Sequence, residues 1–247
     1  VSREELLKIA KPILFNTEMV QAILDDRKTV TRRVIKPKYS NTHFMFRTDK
    51  YGTEFVEMQN QVEGETFGKN PDGTTWHKLV GYIVPKQPYK VGDILYVRET
   101  FCKWMNGNYY YKAAPIPEDK RIREEVKWNP SIHMPKGAAR IFLKVTNVRV
   151  EKLQDITEEQ AEKEGIQGYS KDGHLYKYAA SLDWWDEYHR KYISKINSGT
   201  AWQNMPRSLW VAFMYLWDST VLKQNLDKYG WDANPWVWVI EFEKVEV

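Results

Sequence analysis

Four cations, Arg27, Lys28, Arg32 and Arg33, are packed around Thr29 and Thr31 in the stretch Ile23-Leu24-Asp25-Asp26-Arg27-Lys28-Thr29-Val30-Thr31-Arg32-Arg33. Lys36 and Lys38 extend the run. Guanidinium and ammonium groups at this density supply enough positive charge for several phosphate contacts, with hydroxyls between them. The pattern serves a polynucleotide binder and a nucleotide enzyme equally. A solvated basic surface is the plainer alternative, and it stays open at this level.

Three further groups have residue types that can do chemistry. Arg98-Glu99 closes an apolar run and can contact a base or a phosphate, or form an ion pair at a strand end. His133, in Ile132-His133-Met134-Pro135, reads as a loop residue. Trp231, Asn234 and Trp236 follow Gly230, and an indole face with a nearby amide suits a flipped or single-stranded base. Such stacking is worth about 1–3 kcal/mol per base. Trp236 shares a strand face with Trp238 and reads as core, whereas Trp231 is open. The five histidines and one cysteine are scattered without ligand spacing, so neither a metal nor a cofactor is expected.

Local signals define the elements that must position these groups. Val20, Ile23 and Leu24 recur at helical spacing, and Thr17 is placed to cap a helix running to about Arg27. The β-branched Thr29-Val30-Thr31 predicts an extended exit. Ser2 with Glu5 forms a capping box for a leading helix, which Lys11-Pro12 ends before a short strand at Pro12–Phe15. Residues 36–90 are polar and Gly/Asn/Asp-rich, with a turn signal at Asp72-Gly73. A strand is predicted at Ile94–Thr100, and Asn106-Gly107 makes a hairpin turn. A long strand over Ala139–Leu153 nearly alternates, with a bulge near Thr146-Asn147. Thr157 caps a helix that stops at Glu164-Gly165. Helices over Ser181–Lys195 and Pro206–Val221 precede a terminal strand at Trp236–Phe242.

The formal net charge of +4 is mildly basic and permits a nucleic-acid partner without demanding one. Eleven Trp and 15 Tyr either fill a core or offer stacking faces. A single cysteine, Cys102, excludes an internal disulfide framework and suits a reducing compartment. With no run of roughly 18 apolar residues and no signal-peptide pattern, the expectation is a cytoplasmic protein with no membrane partner.

Four segments, in this order, resemble an ASCH domain of the PUA-like superfamily: Lys11-Pro12-Ile13-Leu14-Phe15, Arg27–Arg32, Gly92-Asp93-Ile94-Leu95-Tyr96-Val97-Arg98-Glu99, and Ile156–Gly165. The long form, with Ser131–Pro135 and Trp231–Trp236, is similar to proteins carried by bacteriophages and prophages. The resemblance implies an α+β fold: one domain over 1–247, with a small mixed β-barrel, flanking helices and two large insertions. The barrel core falls at about 11–35, 91–166 and 235–247, and the insertions at about 36–90 and 167–234.

The resemblance also implies a cleft that binds RNA or a modified nucleoside. Small members of the family are amidohydrolases that deacetylate N4-acetylcytidine through a lysine, a threonine and a glutamate. Lys28 and Thr31 fall on the first two positions, and Glu164, seven residues after Thr157, on the third. Asp26 stands where the family usually has glycine. On this reading Thr31 supplies a hydroxyl nucleophile or positions water, Lys28 acts as base if burial lowers its pKa, and Glu164 orients the lysine or shuttles a proton. Arg27, Arg32, Arg33, Arg98, Glu99, His133, Trp231 and Asn234 are the candidate contacts to nucleoside or RNA. The alternatives are a non-catalytic RNA or modified-base binding module and, third, a ribonuclease.

Overall fold

The structure is a computed structural model that describes residues 2–39, 42–50, 52–59, 66–69, 75–77, 82–115 and 125–246. In chain order, α1 (Arg3–Ile9), β1 (Lys11–Leu14), α2 (Thr17–Leu24) and β2 (Val30–Val34) come first. Five strands follow: β3 (Thr42–Asp49), β4 (Gly52–Gln59), β5 (Thr66–Lys69), β6 (Thr75–His77) and β7 (Tyr82–Ile83). Next are β8 (Ile94–Arg98), β9 (Phe101–Lys103), β10 (Tyr109–Tyr111) and the long β11 (Phe142–Lys152). The chain continues through α3 (Glu158–Lys163), β12 (Gln167–Ser170), β13 (Tyr176–Ala179) and α4 (Leu182–Lys191). It closes with α5 (Ala201–Asn204), α6 (Leu209–Thr220), α7 (Leu226–Tyr229) and β14 (Trp236–Val245). The Asp72-Gly73 turn signal lies outside the described residues.

A five-stranded sheet in the order β1-β8-β11-β14-β2 carries the site. β1 runs parallel to β8, and the other three pairings are antiparallel. β11 shifts register between Val145 and Asn147, where the alternation of its apolar residues slips. Within this mixed α+β architecture the sheet is open, because no strand pairing among the described residues joins β1 to β2. The expected closed barrel is therefore corrected to a curled sheet. Its two edges meet through a side chain instead: Arg33 of β2 donates to the Leu14 carbonyl of β1 at 2.7 Å.

The period-2 alternation of β14 divides the core between the two faces of the sheet. Ile240 and Phe242 join Ile13, Phe15, Leu95, Val97 and Val145, and α2 covers this face with Val20 and Ile23. Val237 and Val239 join the opposite face, covered by α3 and α6 through Ala161, Leu209, Phe213, Leu216 and Trp217. The β3–β4–β7 sheet attaches to β14 through aromatic edges, with Phe55 lying 5.0 Å from Trp236 and 6.4 Å from Trp238. Trp236 is half-buried under this sheet rather than part of the main core.

Several boundaries differ from expectation for local reasons. Asn16, not Thr17, caps α2 by accepting from the Met19 amide at 2.9 Å. That helix ends at Leu24 because Asp26 adopts φ 57, in the left-handed region. α6 begins at Leu209, beyond Pro206, and α4 ends at Lys191 before a separate turn at Ile193–Lys195. No helix among the described residues is long and apolar enough to cross a membrane.

Candidate functional site

Residues 27–29 form the junction between α2 and β2, and they lie against the end of α3. A helix leaves its last carbonyls without intrahelical partners. Here three consecutive residues supply those partners in reverse order. Arg27 donates to the Gly165 carbonyl at 2.9 Å, Lys28 to the Glu164 carbonyl at 2.9 Å, and the Thr29 amide to the Lys163 carbonyl at 2.9 Å. Positive charge at a helix C-terminus is also favoured by the helix dipole. Gly165, at φ 101, permits the approach; a Cβ there would lie 2.8 Å from the Ala22 Cβ.

The Lys28 ammonium is wholly buried, and each of its three donors has an acceptor. It reaches the Val30 carbonyl at 2.8 Å, the Glu164 carbonyl, and the Glu164 carboxylate at 2.5 Å. The second carboxylate oxygen of Glu164 accepts from Arg32 at 3.2 Å. Arg32 also donates to Gln160 at 2.6 Å and lies 3.3 Å from Glu151. Glu151 and Glu241 in turn flank Arg149. Lys28, Glu164, Arg32, Glu151, Arg149 and Glu241 thus form a chain of alternating sign with no net charge. The Arg32 Nε is the one donor in it that is buried without a partner. Burial pushes the Lys28 pKa below the ordinary lysine range; Glu164 opposes the shift, and Arg33 and Arg32 add to it.

Thr31 is 1% exposed and pairs with Ile240. Its side chain therefore lies on the α2 face of the sheet, together with that of Arg33, whereas Arg32 lies on the α6 face beside Phe213. The Lys28 ammonium meets the Val30 carbonyl, in the peptide that leads into Thr31. Phe15 connects the two cations on this side, with Lys28 5.8 Å and Arg33 5.2 Å from its ring centroid. The structure therefore brings Lys28, Glu164 and the Thr31 backbone together in a closed, buried arrangement.

The remaining candidates are dispersed. Arg27 also pairs with Asp25 at 3.0 Å, and Arg32 has no exposed side-chain surface. Arg98 donates to the Ile132 carbonyl, beside the exposed His133. Glu99 is 1% exposed and held in a bidentate pair by Arg140, at 2.9 Å for each bond. Trp231 is buried, stacked on Trp210 at 5.7 Å and edge-on to Phe213. Its indole occupies core space, so no face is free for a base. Asn234, at φ 43, accepts from the Gln154 amide at 2.9 Å and pins the turn into β14.

Arg33 differs from the other cations of the cluster, because its partners among the described residues are carbonyls and a ring, with no carboxylate. It opens onto a groove of about 510 Å³ that is also lined by Lys36, Lys38, Glu57, Lys86 and Trp238. Glu57 is the one carboxylate among the described residues there. It is occupied by the Lys38 and Tyr39 amides and the Thr42 hydroxyl. Lys86 and Glu57 were not singled out in the sequence, since both come from the polar 36–90 stretch. Gln160 had a readable signal, lying one helical turn before Glu164.

Among the described residues no group of three His, Cys, Asp or Glu could hold a metal ion. No family model matches the chain, and neither the curated proteins nor the solved structures contain a match to it.

Proposed function

We propose that this chain is a nucleoside- or RNA-directed protein of the ASCH type, and that Lys28, Thr31 and Glu164 form an amidohydrolase centre for N4-acetylcytidine or a related acylated nucleoside. The observation that carries the reading is the contact at 2.5 Å between Lys28 and Glu164, residues 136 positions apart, next to the peptide that leads into Thr31. The left-handed backbone of Asp26, where the family usually has glycine, supports the same alignment.

On this reading the Thr31 hydroxyl attacks the acetyl carbonyl and Lys28, in its neutral form, takes the hydroxyl proton. The depressed Lys28 pKa makes the neutral form accessible. Glu164 relays that proton from Lys28 to the departing 4-amino group as the C–N bond breaks, and water, giving its proton to the freed Lys28, then releases acetate and regenerates the Thr31 hydroxyl. Substrate must uncover Thr31, which is 1% exposed in the closed arrangement.

The test is chromatographic: N4-acetylcytidine is incubated with the protein and cytidine is sought. Thr31→Val is the informative variant, because it removes the hydroxyl while preserving shape and leaving the Lys28–Glu164 pair intact. Conversion by the parent and none by a folded Thr31→Val protein is the expected result. Equal conversion by both would reject the nucleophile assignment.

A second reading, binding without chemistry, is favoured by the groove beside the closed centre. Arg33, Lys36, Lys38 and Lys86 line it without a salt bridge among the described residues, and Trp238 lines it as well. Salt-sensitive oligonucleotide binding with no product formed would select it.

A further inference from the structure

Lys177 of β13 is a buried cation far in sequence from the proposed centre, and only 3% of its surface is exposed. Its ammonium donates to the Trp202 carbonyl and, at 2.9 Å, to the Gln203 carbonyl. These contacts use two of its three donors and supply no negative charge. Isolated buried charges are costly and are ordinarily paired. The charged groups facing Lys177 are Arg207 and Lys171, both cations. Lys171 lies over the Trp202 ring at 4.8 Å and Lys177 at 5.5 Å. Asp172, in the β12–β13 turn, is taken up by the Ser170 hydroxyl and the His174 and Leu175 amides.

Lys177 and Arg207 converge on a cavity of about 560 Å³, also lined by Leu175, Ser198, Trp202 and Gln203. No carboxylate is among the described residues that line it. A cavity of this size holds a small organic molecule. Among the described residues the Arg207 guanidinium has no salt-bridge partner, so its planar fork is available to a tetrahedral anion. A lysine that served only to satisfy the end of α5 would not require a second uncompensated cation beside it.

We infer that the cavity between β13 and α5 is an anion site that takes a phosphate group, held by Lys177 and Arg207. The missing negative charge is supplied by the ligand, and the third Lys177 donor is directed to one of its oxygens. Leu175 and the Trp202 indole offer apolar contact to an organic body attached to that phosphate. This site is independent of the proposed hydrolase centre, and neither assignment depends on the other.

The test is calorimetric titration of the full chain in a low-salt zwitterionic buffer, with inorganic phosphate and cytidine monophosphate as separate probes. One saturable site is expected, with Arg207→Gln weakening binding roughly tenfold or more, as expected for loss of a charge-assisted contact. Arg207 is exposed and its side chain makes no hydrogen bond to another described residue, so this variant leaves folding intact. Lys177→Met, checked by thermal unfolding, should abolish binding, whereas Lys86→Gln in the other groove should not affect it. Tighter binding of the nucleotide would identify a phosphate ester as ligand; equal binding of the two would identify the free anion. Absence of binding by both probes at millimolar concentration, or unchanged binding by Arg207→Gln, would overturn the site.

Discussion

Lys28 holds Glu164 twice, through its carboxylate at 2.5 Å and its main-chain carbonyl at 2.9 Å. One ammonium therefore neutralises a buried acid and also satisfies the end of α3. The basic cluster that looked like a phosphate-binding surface is in large part a helix cap directed inward. The catalysis proposed for this cluster uses groups that also hold the fold together.

Removing Lys28 should consequently act on stability before it acts on chemistry. Lys28→Met leaves the Glu164 carboxylate buried with Arg32 alone, and breaking a buried pair from one side costs about 3–5 kcal/mol. Replacing both partners, as Lys28→Met with Glu164→Leu, should recover much of that loss because the unpaired charge is gone. Urea unfolding of the two singles and the double closes the cycle. Additive losses would mean that the two groups do not interact energetically.

Gly165 should tolerate no side chain. Alanine there would meet the Ala22 Cβ at 2.8 Å and would have to hold φ near 101. Overpacking costs about 1–3 kcal/mol, and the left-handed backbone adds about 1 kcal/mol. Ala22→Gly combined with Gly165→Ala should relieve the clash but retain the backbone penalty. Thermal unfolding measures both, and a Gly165→Ala protein as stable as the parent would contradict the close packing of α2 on α3.

How much of this was legible depends on how far apart the interacting residues lie. Ser2 with Glu5, the Thr157 cap, the Gly165 stop and the slip near Thr146 are encoded within a few residues, and each occurs as read. The partners that neutralise the basic cluster are not local: Glu151 and Glu164 lie 119 and 132 positions from Arg32. No periodicity shows that Arg32 faces α6 and Arg33 the α2 side of the sheet, although the β2–β14 register decides it. Trp231 could not be read because α6 is apolar on several sides, and only packing shows which aromatic lies beneath it. The openness of the sheet was hidden for the same reason, since β1–β2 closure has no local signal.

Acid should loosen the attachment of the β3–β4–β7 sheet. Burial alone would raise the Glu57 pKa, but hydrogen bonds from Thr42, Lys38 and Tyr39 outweigh it and hold the carboxyl below its ordinary value of 4.5. The unfolded chain therefore binds the proton more readily than the folded one. The stabilisation from this group is complete above about pH 4.5 and is lost as pH falls through the lower folded value. Glu57→Gln should remove that part of the pH dependence. Denaturant midpoints of both proteins between pH 3 and pH 6 test this, and parallel curves would exclude Glu57 as the responsible group.

The groove makes the last prediction, and it separates a polynucleotide ligand from a free nucleoside. Arg33 is held at the sheet edge by the Leu14 carbonyl, while Lys86 reaches the groove from the segment after β7. A nucleic-acid backbone lying there would release counterions, so its affinity should fall with salt and each removed phosphate contact should reduce the slope by about 1. Lys86→Gln leaves the sheet edge and the Lys28–Glu164 pair untouched, so a change in slope reports the groove itself. Fluorescence titration of a short single-stranded RNA, repeated from 50 to 200 mM salt, gives the slope for parent and variant. A smaller slope in Lys86→Gln places the phosphates along the groove. A parent whose affinity is independent of salt would leave the groove without a polyanion, and the proposed site at Thr31 would then be left with a neutral nucleoside.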